Sequence, residues 1–244
     1  MKQLLLALLL TSLTTLPTFA QKQQSDREAE GFKGKVKTVT IEISLIDKST
    51  GKPESTRQRG RMETFDVDGN LTEHKTYDPW GDVLATLTYS FLDGERVVKR
   101  EIQSKRMMVV TPVTPGKEPT RPSDPRYTAR IKYKYDSQGI RTEMVWVNSD
   151  GSPGVTRVYR LTGNEKEESV YSEGGSLSEK YTYKFDDKGN EVERLGVLYD
   201  TPGGLMQSKT TYAYQKFDSQ GNWIARRESS RDSSWIIYRT ITYH

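Results

Sequence analysis

The chain contains no cysteine, and of its 244 residues only two are histidine, His74 and His244. Disulfide scaffolding, thiol catalysis and attachment of a lipid to an N-terminal cysteine are therefore excluded. Zinc needs several His or Cys ligands, so a typical zinc site is excluded as well. No Gly-x-Ser-x-Gly elbow and no phosphate loop is present. Gly174-Gly175 and Gly203-Gly204 have the composition of turns, with no helical pattern behind them to make an anion site. Apolar residues are scarce at 33%, while charged residues reach 29%. The net charge is only +4, and acidic and basic residues interleave, as from Lys180 to Arg194. No compact Lys/Arg block stands beside aromatic platforms, so nucleic acid is not an expected partner.

Long apolar runs are missing too, with one exception. Met1-Lys2 leads into Leu4, Leu5, Leu6, Leu8, Leu9 and Leu10, and then to Pro17, Thr18, Phe19 and Ala20. A basic start, a short apolar core and small residues before the cut describe a secretory signal peptide, residues 1–20, cleaved after Ala20. The run is too short for a span of about 20 apolar residues. The mature chain is thus expected to be secreted or periplasmic, without a transmembrane segment. Residues 21–31 are polar and aperiodic and read as a flexible leader. The ordered domain is expected over 32–244, its first strand built on Val36, Val39, Ile41 and Ile43.

What is present is a recurring phrase: aromatic, Asp, two variable residues, Gly and often Asn. It occurs as Phe65-Asp66-Val67-Asp68-Gly69-Asn70, Phe185-Asp186-Asp187-Lys188-Gly189-Asn190 and Phe217-Asp218-Ser219-Gln220-Gly221-Asn222. Tyr135-Asp136-Ser137-Gln138-Gly139 ends in Ile140, and Tyr77-Asp78-Pro79-Trp80-Gly81 ends in Asp82. Asp opens a turn by accepting a backbone hydrogen bond two residues on. Gly closes it in the left-handed conformation. Each phrase therefore predicts strand, tight turn, strand. A calcium loop is the competing reading of Asp66 to Asn70, but its twelfth position is Tyr77 rather than an acid.

The flanks alternate. Tyr181, Tyr183 and Phe185 share one face, as do Tyr133 and Tyr135. Tyr212 and Tyr214 are in register while Phe217 is out by one, which predicts a β-bulge at Gln215 or Lys216. Fourteen strands are expected, near 35–46, 57–66, 70–78, 83–92, 95–103, 127–136, 140–148, 154–161, 165–172, 177–186, 190–198, 207–217, 222–229 and 234–243. The segment 111–125 holds five of the ten prolines and reads as a long loop inserted in one continuous sheet. The fold class is all-β: an antiparallel meander of hairpins forming a long twisted sheet, a partial barrel or an open shell. The core should be thin, with Tyr and Trp supplying much of it. The edges at Val36–Ile46 and Ser234–Tyr243 could pair with another chain unless they pair with each other, and Tyr238, Ile241 and Tyr243 make the last strand too apolar to stand free, so it should be covered.

The Tyr/Phe-Asp-x-x-Gly-Asn phrases resemble the YD repeats of RHS and teneurin-type proteins, and more closely those of shorter secreted bacterial proteins with divergent YD-like repeats. Gly34-Lys35-Val36-Lys37-Thr38-Val39 and Gly221-Asn222-Trp223 through Tyr243 resemble the start and finish of such proteins. The resemblance implies β-hairpins wound into a shell.

No catalytic set stands out. His74, on a strand beside Glu73 and Lys75, reads as an exposed strand residue. Carboxylates such as Glu63, Asp66, Glu73, Glu143, Glu179, Asp186, Glu191 and Glu193 are too numerous to rank and suit cross-strand ion pairs. Trp146, Trp223 and Trp235 read as core, and Trp80, inside a turn, is the candidate ligand-binding residue. No metal, cofactor or catalytic residue is expected. The expected function is a non-catalytic, secreted or periplasmic scaffold or binding protein of the bacterial cell envelope, its partner an envelope glycan or another protein. The alternative is a secreted carbohydrate-active enzyme using paired carboxylates.

Overall fold

Hairpin after hairpin, the chain builds one antiparallel sheet that closes on itself. The structure is a computed structural model and describes residues 22–92, 95–103, 126–148, 150–199 and 204–244. The signal segment and the Pro-rich segment 111–125 lie outside the described residues. Among the described residues, a short helix, α1 (Asp26–Ala29), precedes fourteen strands. They are β1 (Val36–Leu45), β2 (Gln58–Phe65), β3 (Leu71–Tyr77), β4 (Val83–Leu92), β5 (Glu95–Ile102), β6 (Arg126–Tyr135) and β7 (Arg141–Val147). Then follow β8 (Pro153–Thr162), β9 (Glu165–Tyr171), β10 (Leu177–Phe185), β11 (Glu191–Leu198), β12 (Met206–Phe217), β13 (Trp223–Ser229) and β14 (Ser234–Tyr243).

Each strand pairs with its neighbours in sequence, and β14 pairs back onto β1. The closing ladder runs antiparallel from Val36 opposite Tyr243 to Leu45 opposite Trp235. The Thr38 and Thr242 hydroxyls meet across that seam at 2.6 Å. Closure removes both free edges, which an open sheet with an apolar last strand would leave exposed. It also corrects two expectations. The sheet is neither a partial barrel nor an open shell. Nor is it a YD-repeat shell of the RHS or teneurin kind: the phrases are turn chemistry that a simple up-and-down barrel also needs.

All five phrases make the same turn. In each, the Gly N–H donates to the Asp carbonyl, as at Gly69 to Asp66 (3.1 Å) and Gly189 to Asp186 (2.9 Å). The Asp carboxylate accepts from the N–H four residues on, as from Asn70 (2.8 Å) and Asn190 (2.8 Å). The expected bulge in β12 is present, with register shifts between Tyr214 and Lys216 and again before Phe217. The turns at 66–70, 136–140, 186–190 and 218–222 all join an even strand to an odd one, so they gather at one end of the barrel. The Asp78–Asp82 turn is at the opposite end.

Strand side chains alternate in and out. Val39 and Ile41 face the core with Phe32, Phe65, Trp223 and Ile237. On the outer face, oppositely charged residues pair along and across strands: Lys134 with Glu143 (2.8 Å), Lys180 with Glu167 (2.8 Å), and Lys184 and Lys209 with Glu193 (3.4 and 2.7 Å). Such exposed pairs contribute little stability.

Candidate functional site

The segment preceding β1 is not a flexible leader. It crosses the turn-bearing mouth of the barrel as a strap. Ser25 caps α1: its hydroxyl accepts from the Glu28 N–H (3.3 Å), while the Glu28 carboxylate accepts from the Ser25 N–H (2.9 Å). This reciprocal pair satisfies two N–H groups that a helix start leaves open. Lys22 adds an ion pair to Glu28 (2.7 Å). The Lys22 hydrogen bond and the Ser25 backbone together hold the Glu28 carboxyl down at about 2.

The strap is fastened to the wall at three places. Gln24 N–H donates to the Gly139 carbonyl and Arg27 N–H to the Gly69 carbonyl, both at 2.9 Å. Lys33 N–H donates to Asn222 Oδ1 (2.8 Å), and Asn222 Nδ2 returns a bond to the Lys33 carbonyl (2.9 Å). The repeated turns thus double as docking points. Asp26 is the main anchor. Its carboxylate accepts from Arg96 Nη1, from the Leu71 N–H (2.8 Å) and from Arg141 Nη2 (2.9 Å). Arg96 in turn donates to the Tyr133 hydroxyl (2.8 Å) and to the Leu71 carbonyl (2.7 Å). All three charged side chains are nearly buried, so the cluster is a desolvated ion triad, in which the Nε atoms of Arg96 and Arg141 have no hydrogen-bond partner among the described residues.

Inside the wall, aromatic rings and cations alternate strand by strand. Tyr89 of β4, Tyr133 of β6, Tyr159 of β8, Tyr183 of β10 and Tyr212 of β12 alternate with Arg96 of β5, Arg141 of β7, Lys166 of β9, Arg194 of β11 and Arg226 of β13. Arg96 lies over Tyr89 at 4.5 Å, Arg141 over Tyr133 at 4.0 Å, and Lys166 over Tyr183 at 5.0 Å. Arg194 and Arg226 flank Tyr212 at 5.5 and 4.3 Å. Arg239 of β14 closes the series, 3.5 Å over the Trp223 ring and 4.8 Å over Phe32. These are cation–π contacts, each worth about 0.5–2 kcal/mol according to desolvation. Burial pushes the tyrosine hydroxyls upward, Tyr89 and Tyr159 to about 12, so they stay neutral hydrogen-bonding groups at neutral pH.

Wall carboxylates neutralise many of these cations. Glu168 binds Arg157 and accepts from Tyr183 (2.7 Å), Glu191 binds Arg194 (3.0 Å), and Glu228 binds Arg226 and accepts from Trp235 Nε1 (2.9 Å). Beneath the strap lies a cavity of about 160 Å³ lined by Asp26, Glu30, Glu63, Tyr133, Arg141 and Trp146, among others. Two of its acids, Glu63 and Glu30, behave oppositely. Desolvation raises Glu63, but the His74 contact (3.5 Å) and Arg61 (3.3 Å) outweigh it and hold the carboxyl below the usual range. Glu30 is raised, first by desolvation and then by the Glu63 charge. Glu30 lines the cavity and keeps water-accessible surface. Burial, then Arg226 and Arg61, push Arg239 down to about 9, still cationic at neutral pH.

The residues singled out in the sequence are dispersed by this geometry. Trp80 sits in the β3–β4 turn, its side chain outside the lumen and the residue 72% exposed, with its N–H on Asp78 Oδ1 (3.0 Å). Trp146 lines the cavity and Trp223 the strapped mouth. His74 is not an exposed strand residue: it faces inward against Glu63. Of the acids, Glu63, Glu179 and Glu191 belong to the lumen side; Glu73, Glu143 and Glu193 form outer pairs; Asp66 and Asp186 hold turns. The strap residues Asp26 and Glu30 were missed, although Ser25-Asp26-Arg27-Glu28 has the spacing of a capping box. Among the described residues, no group of acids and histidines could hold a metal ion, and no helix is long and apolar enough to cross a membrane.

No family model matches the chain, and no curated protein does. Among solved structures, the chain is similar to a porin-like protein from Bacteroides uniformis, at 9% identity and a TM-score of 0.48, over 85% of this chain and 98% of that one.

Proposed function

We propose that the protein is a non-catalytic binding protein of the cell envelope, which works in water and holds its ligand in the barrel lumen. The observation that carries this reading is the division of chemistry between the two faces. The outer wall wears Lys and Glu; the inner wall wears rings and guanidinium groups. A lipid-spanning barrel requires the reverse, an apolar band outside. Mid-strand Lys99, Lys132, Lys180 and Lys209 point outward, and at about 2–4 kcal/mol each in a bilayer they would cost on the order of 10 kcal/mol together. The signal segment read in the sequence supports export, and the water-built wall supports a soluble residence after it.

The lumen suits a ligand with flat apolar faces and polar edges, as an envelope saccharide has. Rings stack on the faces, and Arg, Tyr and Glu side chains meet the hydroxyl and charged groups. The test is calorimetry of residues 21–244 with soluble peptidoglycan fragments and plant or bacterial oligosaccharides, read beside the fluorescence of Trp146 and Trp223. Saturable binding with shifted emission supports the reading. Binding abolished by Trp80→Ala alone would move the site outside the barrel.

A second reading draws on Glu30 and Glu63. Two acids in one cavity with shifts in opposite directions are the pattern of an acid–base pair in glycoside hydrolysis. Turnover of an oligosaccharide that is lost in Glu63→Gln would favour that enzyme over the binding protein.

A further inference from the structure

We propose that the cavity beneath the strap is a subsite for one neutral sugar ring, in which Glu63 accepts from a ring hydroxyl, Arg96 and Arg141 donate to ring oxygens, and Trp146 covers one face. The proposal rests on the lumen reading above and narrows it, in place to the strapped end and in ligand to a single uncharged pyranose.

The first observation is an acceptor without a donor. Glu63 lines the cavity and is 6% exposed. Its Oε1 faces Arg61 Nε (3.3 Å) and His74 Nδ1 (3.5 Å). Its Oε2 is buried with no hydrogen-bond partner among the described residues. An acceptor stripped of water and left unmet is costly, so interiors supply a partner, from the protein or from a molecule held beside it. The unmet Nε atoms of Arg96 and Arg141 belong to residues that line the same cavity. Unmet Nε atoms recur at Arg61 and Arg239, which do not line it, so alone they mark nothing. What sets this cavity apart is that an open acceptor and open donors belong to the lining of one space. A hydroxyl group donates and accepts at once and so meets both.

The second observation is size. The cavity holds about 160 Å³. One water needs only about 10–15 Å³, and an apolar cavity of roughly 150 Å³ takes one benzene ring. The scale is thus one six-membered ring, and a second sugar unit has to lie outside.

The third is the state of the charges. Asp26 already pairs with both Arg96 and Arg141, and Arg61 stands against Glu63. What remains open is hydrogen bonding rather than charge. A charged ligand of either sign meets a like charge in the lining: a carboxylate meets Glu30 and Glu63, an ammonium Arg96 and Arg141. The ring faces agree. Arg96 and Arg141 already lie over Tyr89 and Tyr133, at 4.5 and 4.0 Å. Trp146 is half-buried, and its indole makes no ring or cation contact among the described residues, which leaves a flat apolar face for the sugar.

The experiment titrates the folded chain, residues 21–244, by calorimetry with the methyl glycosides of glucose, galactose and mannose, with glucosamine and with galacturonate. Wild type is compared with Glu63→Gln and Trp146→Leu. The subsite predicts saturable binding of a neutral glycoside that changes little between low and high salt. Each variant weakens it about tenfold or more. The decisive arm leaves the protein untouched and uses monodeoxy forms of the glycoside that binds. Removing the hydroxyl that meets Glu63 leaves Oε2 unmet again and weakens binding at least about tenfold, while removal at a position away from the polar groups changes little. A damaged fold cannot produce that pattern, because the protein is wild type throughout. Equal small losses at every position overturn the subsite, as does tighter binding of glucosamine or galacturonate than of any neutral glycoside. Oligosaccharide binding that persists unchanged in both variants overturns the subsite and leaves the lumen reading standing. Binding of none of the glycosides assigns the unmet atoms to trapped water and overturns the subsite.

Discussion

Two glycines in the same phrase provide an internally controlled test of the strap. Gly139 and Gly189 both close an Asp-x-x-Gly turn, with φ of +77° and +79°. Alanine at either position must adopt the left-handed region, at about 1–2 kcal/mol. Beyond that they differ. A Cβ on Gly189 meets nothing within 4 Å, whereas one on Gly139 would lie 2.5 Å from the Lys22 carbonyl oxygen. The neighbour is backbone and cannot swing aside, so the strap must lift. Lifting loses the Gln24–Gly139 hydrogen bond, worth about 0.5–1.5 kcal/mol, and loosens the anchor beside it. Gly189→Ala should therefore cost about 1–2 kcal/mol in urea denaturation, and Gly139→Ala roughly 1–3 kcal/mol more. Trypsin should then cut after Lys22 and Arg27 faster in Gly139→Ala than in Gly189→Ala. Equal stabilities with equal cutting rates would refute the idea that the 136–140 turn holds the strap.

Other expectations follow from the same geometry. Asp26→Asn leaves Arg96 and Arg141 without their shared carboxylate, so denaturation should show a loss of about 3–5 kcal/mol, or as much as strap docking contributes; a loss below about 1 kcal/mol would contradict the triad. Glu30 is raised in the folded state, so its ionisation opposes folding: the penalty is absent below the unfolded carboxyl range and complete above the folded value. Glu30→Gln should accordingly exceed wild type in stability at pH 7 and match it at pH 3, as read by melting temperature. Glu63, Asp66 and Asp218 are lowered, so their contribution is present above the unfolded range and fades as pH falls through their folded values. Deleting residues 234–244 removes the strand that pairs with both β1 and β13, and circular dichroism should show loss of the cooperative transition.

The strand count and every hairpin were legible because side-chain alternation and turn residues are local. Tyr181, Tyr183 and Phe185 announce their common face, and Asp186 with Gly189 announces the turn. Closure was not legible in the same way. It depends on Val36 meeting Tyr243 across more than two hundred residues, and no local signal marks that register; the apolar residues of β14 pointed only to some cover. The ring of Tyr and cations was half visible. Tyr133, Tyr183 and Tyr212 stand in the alternating strands just upstream of the repeated phrases, but which Arg faces inward depends on the bulges between Lys134 and Tyr135 and between Lys184 and Phe185, each of which shifts the alternation by one. The strap was misread because its polarity outweighed the capping spacing. Ser25, Asp26 and Arg27 are buried within it: Asp26 satisfies buried arginines, a role visible only once β5 and β7 are brought to it. His74 was misread for a related reason, since a strand between Glu73 and Lys75 looks exposed on both faces until Glu63 is placed opposite.

The measurement that bears most directly on the central claim is the behaviour of the mature chain, residues 21–244, without detergent. A barrel whose outer wall is built for water should be folded and monodisperse in buffer, with a cooperative thermal transition, and should remain below neutral phosphatidylcholine vesicles in a flotation gradient. Folding only in detergent, flotation with the vesicles, or conductance across a planar bilayer would contradict it.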